Sequence, residues 1–359
     1  MSLIKCCETR LISRTAASKL VTTYGKPADF IEHVIVILTD ENGVKGYGEA
    51  TPLKEFTGET AASIQLILEQ EILPKLIGAD CFDIAAVHGV MDDAVYGNTS
   101  AKAAVDMAFY DLAAKVLGIP EYKLLGGACR RTVGVNRHIG INTVAEAVDM
   151  AKGYIEQGYK TIKIKVGNDA DEDIARIKAI RQAVGKSINL RIDANQGYTF
   201  PTALRVLKAL CDEKIEYCEQ PLPAWDIAGL KKLRESTGVP IGADESLHSV
   251  QDAIMMAENH SVDVFVLKLI KTGGIWPALR IAGIAEAVGI KCVVTSPFDT
   301  QIGAAHCLQL AAALPAAISC DLTCYASQPE MAVTCHTLKN GALTVGAGSG
   351  CGVGSICEL

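Results

Sequence analysis

Short apolar runs rich in β-branched residues recur through the second half of the chain at an almost constant interval. Their last residues are 24 to 29 positions apart, with helical patterns between them. Alternating strands and helices at this spacing predict βαβ units and a parallel sheet, and eight strands are the number that closes a (β/α)₈ barrel. The eight runs are Val135–Gly140, Thr161–Lys165, Leu190–Ala194, Ile215–Glu219, Val239–Asp244, Val264–Lys268, Cys292–Ser296 and Ile318–Leu322.

The helices between these runs have recognisable ends. Thr143 and Glu146 have the spacing of a capping box, and Gly158 is placed to end the helix that they begin. Two further apolar stripes predict helices, and Gly238 stops the second. The stripes are Leu204, Leu207 and Leu210, and Ile227, Leu230 and Leu233. A doubly wound open sheet is the alternative, but the glycine fingerprint that it requires after its first strand is absent.

The first 130 residues follow a different pattern. Asn42-Gly43 lies between two strand-like runs and predicts a hairpin with a two-residue turn. Two helical patterns come next, so we expect an α+β domain ahead of the barrel. The strands are Val34–Leu38 and Val44–Gly48, and the helices are around Ala61–Leu68 and Ala101–Val116.

Composition excludes several classes of protein. The 359 residues correspond to about two domains, and 49% hydrophobic with 21% charged residues is ordinary globular composition. A net charge of −7 offers no basic surface for nucleic acid, and no apolar run is long enough to span a membrane. Charged residues near the start leave no room for a signal peptide. The thirteen cysteines include no Cys-x-x-Cys pair, so we expect free thiols in a cytoplasmic protein.

Charged residues lie at the ends of the predicted barrel strands, where barrel enzymes carry their catalytic groups. Strand alternation places Ile162 and Ile164 on one face and two lysines on the other, so we expect the lysines to point into the barrel. Buried charges without partners are costly, and a purely structural barrel would carry aliphatic residues there. The set therefore predicts an active site; it comprises Lys163, Lys165, Asp193, Glu219, Asp244, Lys268 and Asp321.

Three carboxylates, Asp193, Glu219 and Asp244, lie on consecutive predicted strands. Oxygen ligands with a combined charge near −3 suit Mg²⁺, and Mn²⁺ can substitute for it. Histidine and cysteine are absent from these positions, which argues against zinc. The sequence therefore predicts a magnesium site at the barrel mouth.

Two lysines, Lys165 and Lys268, lie on opposite sides of this predicted metal site. A divalent ion stabilises the enediolate that forms when a carboxylate substrate loses its α-proton. A free lysine is protonated at neutral pH, but Lys163 and the metal ion would lower the pKa of its neighbour by like-charge repulsion. Two bases on opposite faces can remove a proton on one side and return it on the other, which inverts a stereocentre.

The chain resembles the enolase superfamily, in its muconate-lactonizing-enzyme-like subgroup, over essentially its whole length. The resemblance depends on the order and spacing of several motifs, each weak by itself. They are Lys163-x-Lys165, Asp193-Ala-Asn195, Glu219-Gln220-Pro221, Asp244-Glu245-Ser246 and Lys268-Leu-Ile-Lys-Thr-Gly273-Gly274, with the stretch from Ser100 to Asp111 and Leu124-Leu-Gly-Gly127 upstream.

The resemblance implies an α/β fold, a modified TIM barrel of the (β/α)₇β type with an N-terminal α+β capping domain. Residues 1–130 would form the cap, residues 131–323 the catalytic barrel, and residues 324–359 a segment that returns to the cap. Loops of the cap close the mouth in such proteins, which makes Thr15–Phe30 the expected lid.

Within the subgroup the chain looks most like the dipeptide epimerases, such as those acting on L-Ala-D/L-Glu. In those proteins an Asp-x-Asp at the end of strand eight holds the substrate ammonium, whereas here the stretch is Asp321-Leu322-Thr323. Strand seven ends in Thr295-Ser-Pro-Phe-Asp299 where Gly-Cys-Met-x-Glu is usual, and a histidine replaces the usual threonine on strand one. The expected substrate-binding residues are Asp321, Thr323, Asp299, Ser296, His138 and Asn195.

Three hypotheses follow. The first is a Mg²⁺-dependent racemase or epimerase that acts next to a carboxylate, on a dipeptide or an N-substituted or cyclic amino acid. The second is a lyase or cycloisomerase using the same enolate: muconate lactonization, o-succinylbenzoate synthesis or dehydration of a hydroxylated proline. The third is a structural or binding barrel, against which the intact set of acids and lysines argues. The expected partner is a small-molecule carboxylate, and a homo-oligomer is left open.

Overall fold

A computed structural model of the chain describes residues 1–15, 20–25, 29–322 and 332–356. Its first part is an antiparallel sheet in the order β1-β2-β3, followed by helices on one face. The bounds are β1 (Ile4–Thr15), β2 (Phe30–Asp40), β3 (Lys45–Ala50), α1 (Lys54–Thr57), α2 (Ala61–Ile67), α3 (Ile84–Ala94) and α4 (Thr99–Val116). The predicted α+β character of this part is confirmed, as are both predicted helices.

The hairpin between β2 and β3 differs from the prediction in its loop. Thr39 pairs with Lys45, and the Asp40 amide donates to the Val44 carbonyl, so three residues form the turn. A two-residue turn of the type predicted for Asn42-Gly43 requires a left-handed backbone at both residues, and of the two only Gly43 has it. The carboxylate of Asp40 accepts from the amides of Asn42 and Val44 and holds this wider loop.

The second part is a parallel sheet of seven strands in the order β11-β10-β9-β8-β7-β6-β5. After a short β4 (Thr132–Gly134), its strands are β5 (Arg137–Ile139), β6 (Thr161–Lys165), β7 (Asn189–Asp193), β8 (Ile215–Glu219), β9 (Ile241–Ala243), β10 (Val264–Leu267) and β11 (Lys291–Val294). The helices are α5 (Val144–Glu156), α6 (Ala170–Val184), α7 (Phe200–Ala209), α8 (Ile227–Thr237), α9 (Val250–Glu258), α10 (Leu269–Thr272), α11 (Ile275–Val288) and α12 (Gln301–Ala313).

Residues 317–321 close this sheet into a barrel. Cys320 forms a parallel bridge to Val135 on one side, and Asp321 forms one to Thr295 on the other. The predicted eighth run, Ile318–Leu322, thus lies between the first and seventh barrel strands through isolated bridges. This arrangement confirms the predicted modified TIM barrel.

The predicted helix ends are also present. Thr143 and Glu146 form the capping box of α5, and Gly158 follows that helix with a left-handed backbone. Gly238 ends α8 in the same conformation. Ile162 and Ile164 are fully buried in the core between sheet and helices, which leaves the intervening lysines for the barrel interior.

The end of the chain contacts both parts. Its strands are β12 (Ala332–Thr334), β13 (Thr337–Lys339), β14 (Ala342–Thr344) and β15 (Val353–Ile356), and β14 pairs with β4. The Cys351 amide donates to Asp111 of α4, and Val353 packs against Ile35 and Ile37 of the cap sheet. A segment that returns to the cap is therefore visible, while the exact division at residues 130 and 323 stays a prediction.

In the described ranges, none of the helices has the length and apolar character needed to cross a membrane.

Candidate active site

The register of the barrel strands places the predicted charged residues side by side. His138 of β5 lies opposite Lys163 of β6, and Lys165 lies opposite Asp193 of β7. Asp193 in turn lies opposite Glu219 of β8. Residues paired in neighbouring parallel strands share a face, so these side chains meet inside the barrel mouth.

Lys163 lies among three carboxylates. Its Nζ is 2.7 Å from Glu219 Oε1, 3.0 Å from Asp193 Oδ2 and 3.3 Å from Asp321 Oδ2. Burial would lower the pKa of this lysine, but the carboxylates raise it well above its ordinary value. Lys163 is therefore a buried cation that links strands two, three, four and eight of the barrel.

Lys165 is oriented by two neighbours on the next strand. Its Nζ is 2.7 Å from Asp193 Oδ2 and donates to Asn195 Oδ1 at 2.8 Å. The amide nitrogen of Asn195 donates to Glu245 Oε1 at 3.2 Å. Asn195 has a left-handed backbone (φ 42°), which is strained for a residue other than glycine. Asn195, predicted as a substrate ligand, thus lies where it fixes the lysine.

Asp244 receives two lysines, one on each carboxylate oxygen. Lys268 donates to Oδ2, and the fully buried Lys271 donates to Oδ1 and to the Asp244 carbonyl. Burial opposes ionisation of Asp244, but the two lysines hold its pKa well below the ordinary value. The ring of Phe56, from the cap, lies 3.8 Å from Lys268 Nζ and covers this lysine.

Asp193, Glu219 and Asp244 are the expected ligands of a divalent cation. Within the described ranges no group of three His, Cys, Asp or Glu side chains is placed to hold a metal ion, and each of these acids contacts a lysine. The residues still fit Mg²⁺, since all their donors are oxygen atoms and a cation, Lys163 Nζ, already lies within 3.0 Å of both Asp193 and Glu219. Burial and the charges of Asp193 and Asp244 raise the pKa of Glu219 against the pull of Lys163.

A cavity of about 720 Å³ lies between the barrel mouth and the cap. It is lined from the barrel by the lysines of strands two and six, and from the cap by residues that include Leu53 and Phe56. Of the predicted lid Thr15–Phe30, residues 16–19 and 26–28 lie outside the described residues. Residues 20–22, 24 and 25 line the cavity, and Tyr24 donates to Glu245 at 2.7 Å.

Some of the predicted substrate-binding residues line the cavity and others do not. Asp321 and His138 both line the cavity and contact each other at 2.6 Å. Thr323 lies outside the described residues. Asp299 and Ser296 do not line the cavity: both are buried, and Asp299 accepts a hydrogen bond from Thr51 of the cap at 2.7 Å. Asp299 is thus directed towards the cap, and the interpretation of Asp299 and Ser296 as substrate ligands stays a prediction.

Sequence reasoning missed several residues that shape the site. Lys271 lies in the motif that begins at Lys268, but no role was assigned to it from the sequence. In the structure its ammonium is fully buried against Asp244. Glu245 accepts hydrogen bonds from Tyr24, in the predicted lid, and from Asn195 of the barrel. Lys271 could have been noticed as a charge in an otherwise apolar stretch, whereas the contact of Phe56 with Lys268 depends on the docking of the cap and has no signal in the sequence.

Known families match the chain in two blocks. The N-terminal domain of the mandelate racemase / muconate lactonizing enzyme family matches residues 20–126, and the enolase C-terminal domain-like family matches residues 146–355. An L-Ala-D/L-Glu epimerase from Clostridium acetobutylicum is 40% identical over 282 residues, which are 78% of each chain.

Solved structures resemble the whole fold. The substrate-liganded L-Ala-D/L-Glu epimerase from Bacillus subtilis matches with a TM-score of 0.95 at 33% identity, covering 99% of this chain and 100% of that one. The dipeptide epimerase from Enterococcus faecalis V583, in complex with Mg and the dipeptide L-Leu-L-Tyr, matches with a TM-score of 0.94 at 35% identity, covering 98% and 100%. Both likenesses extend over cap and barrel together.

Proposed function

The chain belongs to the mandelate racemase / muconate lactonizing enzyme family of the enolase superfamily, and from this membership we propose that it is a Mg²⁺-dependent dipeptide epimerase. The names of its relatives support the substrate class. The reaction is removal of the proton next to the substrate carboxylate and its return to the opposite face of the same carbon.

The observation that carries this proposal is the placement of two lysines around one cavity. Lys165 is on the second barrel strand and Lys268 at the end of the sixth, four strands apart in a ring of eight, so they face each other across the mouth. Both are buried and both line the cavity. A substrate carbon held between them has one lysine on each face, which is the arrangement that inversion requires.

The acids of the neighbouring strands would hold the metal. Asp193, Glu219 and Asp244 are the ligand set for Mg²⁺, with Mn²⁺ as a substitute. When bound there, the metal ion supplies positive charge beside the substrate carboxylate, which makes the α-proton easier to remove.

Lys165 and Lys268 then have opposite roles, one as the base and the other as the acid. One lysine must be neutral to accept the α-proton, while the other, protonated, donates a proton to the opposite face. Asn195 keeps Lys165 directed towards the cavity, and Phe56 confines Lys268 from the cap side. Lys163 remains charged and stabilises negative charge that develops on the substrate.

The proposal is tested with dipeptides in D₂O. L-Ala-L-Glu, L-Ala-D-Glu and L-Leu-L-Tyr are incubated with enzyme and Mg²⁺, and deuterium at the α-carbon is followed by mass and by chiral separation. The wild type is expected to exchange and epimerise at least one of them. Lys165→Ala and Lys268→Ala should each lose epimerisation by roughly 10²–10⁴-fold.

Lys165→Ala and Lys268→Ala also show which lysine acts on which face of the substrate α-carbon. Each should still exchange deuterium into one epimer, the one whose proton faces the remaining lysine. Lys178→Ala, which removes an exposed lysine of α6, is the matched control and should keep full turnover. Full epimerisation by either active-site variant would refute the two-base proposal, and a product that has lost water would point to a lyase instead.

A further inference from the structure

His138 has a position in the mouth that the proposed reaction does not use. It lies on the first barrel strand opposite Lys163, on the inward face, and it lines the cavity. Its side chain is 19% exposed, while Asp321 behind it is only 2% exposed. The ring therefore stands between Asp321 and the space that a substrate occupies.

The contact with Asp321 fixes the chemistry of the ring. Nε2 of His138 is 2.6 Å from Asp321 Oδ1, and the other carboxylate oxygen faces Lys163 at 3.3 Å. Burial and then the charges of Lys163 and Lys165 lower the pKa of the imidazole against the pull of Asp321, while His138 and Lys163 hold the pKa of Asp321 well below its ordinary value despite burial. At neutral pH these directions favour a neutral imidazole beside an ionised carboxylate, and the 2.6 Å approach of Nε2 to Asp321 Oδ1 favours the tautomer with its hydrogen on Nε2.

The other ring nitrogen, Nδ1, is consequently an acceptor. Nε2 is buried against Asp321, so the exposed part of the side chain is the remainder of the ring. In the part of the chain that the structure describes, the backbone carbonyl of His138 accepts a hydrogen bond from Tyr154, and none to Nδ1 is seen. The cavity wall therefore presents the uncharged acceptor Nδ1 of His138, and the ring covers the carboxylate of Asp321 behind it.

We propose that His138 is a specificity residue whose Nδ1 accepts a hydrogen bond from an N–H on the half of the substrate remote from the reacting carbon. A neutral acceptor binds an amide N–H as well as an ammonium, so the substrate class extends from free dipeptides to N-acylated ones. This inference rests on the proposed epimerase function, since it assigns what the same cavity recognises.

The first test compares a free dipeptide with matched derivatives. The three probes are L-Ala-L-Glu, its N-formyl derivative and its N-formyl-N-methyl derivative, which lacks the N–H. For the wild type we expect kcat/KM values of the first two within about tenfold of each other, and a loss for the third that lies mainly in KM. A preference of more than about a hundredfold for the free dipeptide over the N-formyl derivative would overturn the inference, because only a charge-reading site discriminates so strongly.

Two variants separate the acceptor from the carboxylate. His138→Gln keeps a donor for Asp321 but has no acceptor at the place of Nδ1, so KM should rise for both N–H substrates while kcat changes less. His138→Thr uncovers Asp321 and should shift the preference towards the free ammonium by about tenfold or more. An unchanged preference in His138→Thr, with its thermal unfolding equal to that of the wild type, contradicts the inference.

A spectroscopic measurement keeps this inference distinct from the epimerase proposal. In protein labelled with ¹⁵N-histidine, His138 should show Nδ1 in the region of unprotonated nitrogen and Nε2 as N–H, and His138→Gln assigns the signals. N-formyl-L-Ala-L-Glu should shift the Nδ1 signal and the N-methyl derivative should not. A missing shift refutes the role of His138, whereas a shift without any α-proton exchange leaves that role standing and refutes the epimerase.

Discussion

Asp299→Asn is the substitution for which the structure gives the most definite expectation. Asp299 lies buried between barrel and cap, where a second carboxylate, Glu49 of β3, is also completely buried. Glu49 accepts hydrogen bonds from the Thr300 and Gly303 amides, both at 2.8 Å, and His33 Nδ1 is 2.8 Å away. These groups hold the pKa of Glu49 below its ordinary value although burial opposes ionisation, so Glu49 carries the negative charge.

The charge of Glu49 changes the pKa of Asp299. Burial first, and then the charge of Glu49, raise the pKa of Asp299 from 3.8 to about 6. Between these two pH values the folded protein binds a proton that the unfolded chain has released, so the free energy of unfolding falls as the pH rises through this window. The difference between 3.8 and about 6 amounts to roughly 3 kcal/mol, all of it lost above the higher value.

Asparagine at this position has no charge to suppress and can still accept the hydrogen bond of Thr51. We therefore expect Asp299→Asn to raise the free energy of unfolding by about 2 to 3 kcal/mol at about pH 8 and to change it little at about pH 4. Urea unfolding of both proteins across this range measures the difference. Glu49→Gln is the contrasting variant, and it should destabilise at both pH values because it leaves several buried donors poorly matched. Destabilisation by Asp299→Asn at every pH would refute the reasoning.

Three further substitutions have equally direct expectations. Lys271→Met should lower stability by about 3–5 kcal/mol and weaken Mg²⁺ binding in a calorimetric titration, because Asp244 loses a fully buried partner; unchanged values would refute the pairing. Phe56→Leu should slow epimerisation by about tenfold through loss of the ring over Lys268 Nζ, whereas Phe82→Leu, at an exposed cap position, should not. Gly48→Ala would place a methyl group 1.9 Å from the Ala104 carbonyl oxygen and should prevent docking of α4, which thermal unfolding reports. Gly89→Ala, at an open helical position, is its control and should stabilise by about 0.5–1 kcal/mol.

The barrel was predictable because its signal is local and repeated. Each strand carries its own β-rich run, and the alternation within Thr161–Lys165 decides which side chains face inward. The same reasoning located the acids and lysines at the strand ends, since strand ends of a parallel barrel meet at one mouth. The interval of the runs was therefore enough for the barrel, and the strand ends were enough to find the charged residues that contact one another at its mouth.

Residues after the strands were less predictable because a loop has no fixed period. Asp299 follows Pro297 and Phe298, two residues that do line the cavity, yet it faces the cap. Thr51 donates to Asp299, and Glu49 accepts from the amide of the next residue, Thr300, and both of these cap residues lie about 250 positions earlier in the sequence. Contacts of this kind depend on how two domains dock, and neither hydrophobic patterning nor spacing contains that information.

The same distinction explains why the sequence predicted the charged residues of the mouth but not their partners. Lys163 is not paired with Asp193 in the strand register and is not its neighbour in the sequence. Its long side chain nevertheless reaches Asp193, Glu219 and Asp321 on three other strands. Each of these buried charges is tolerable only because the others are present, since a lone buried ion would lose its solvation without compensation. The identity of the residues is thus encoded strand by strand, whereas their protonation and pairing belong to the set as a whole. Removal of one partner, such as Lys163, must therefore change the protonation balance of the carboxylates that it contacts.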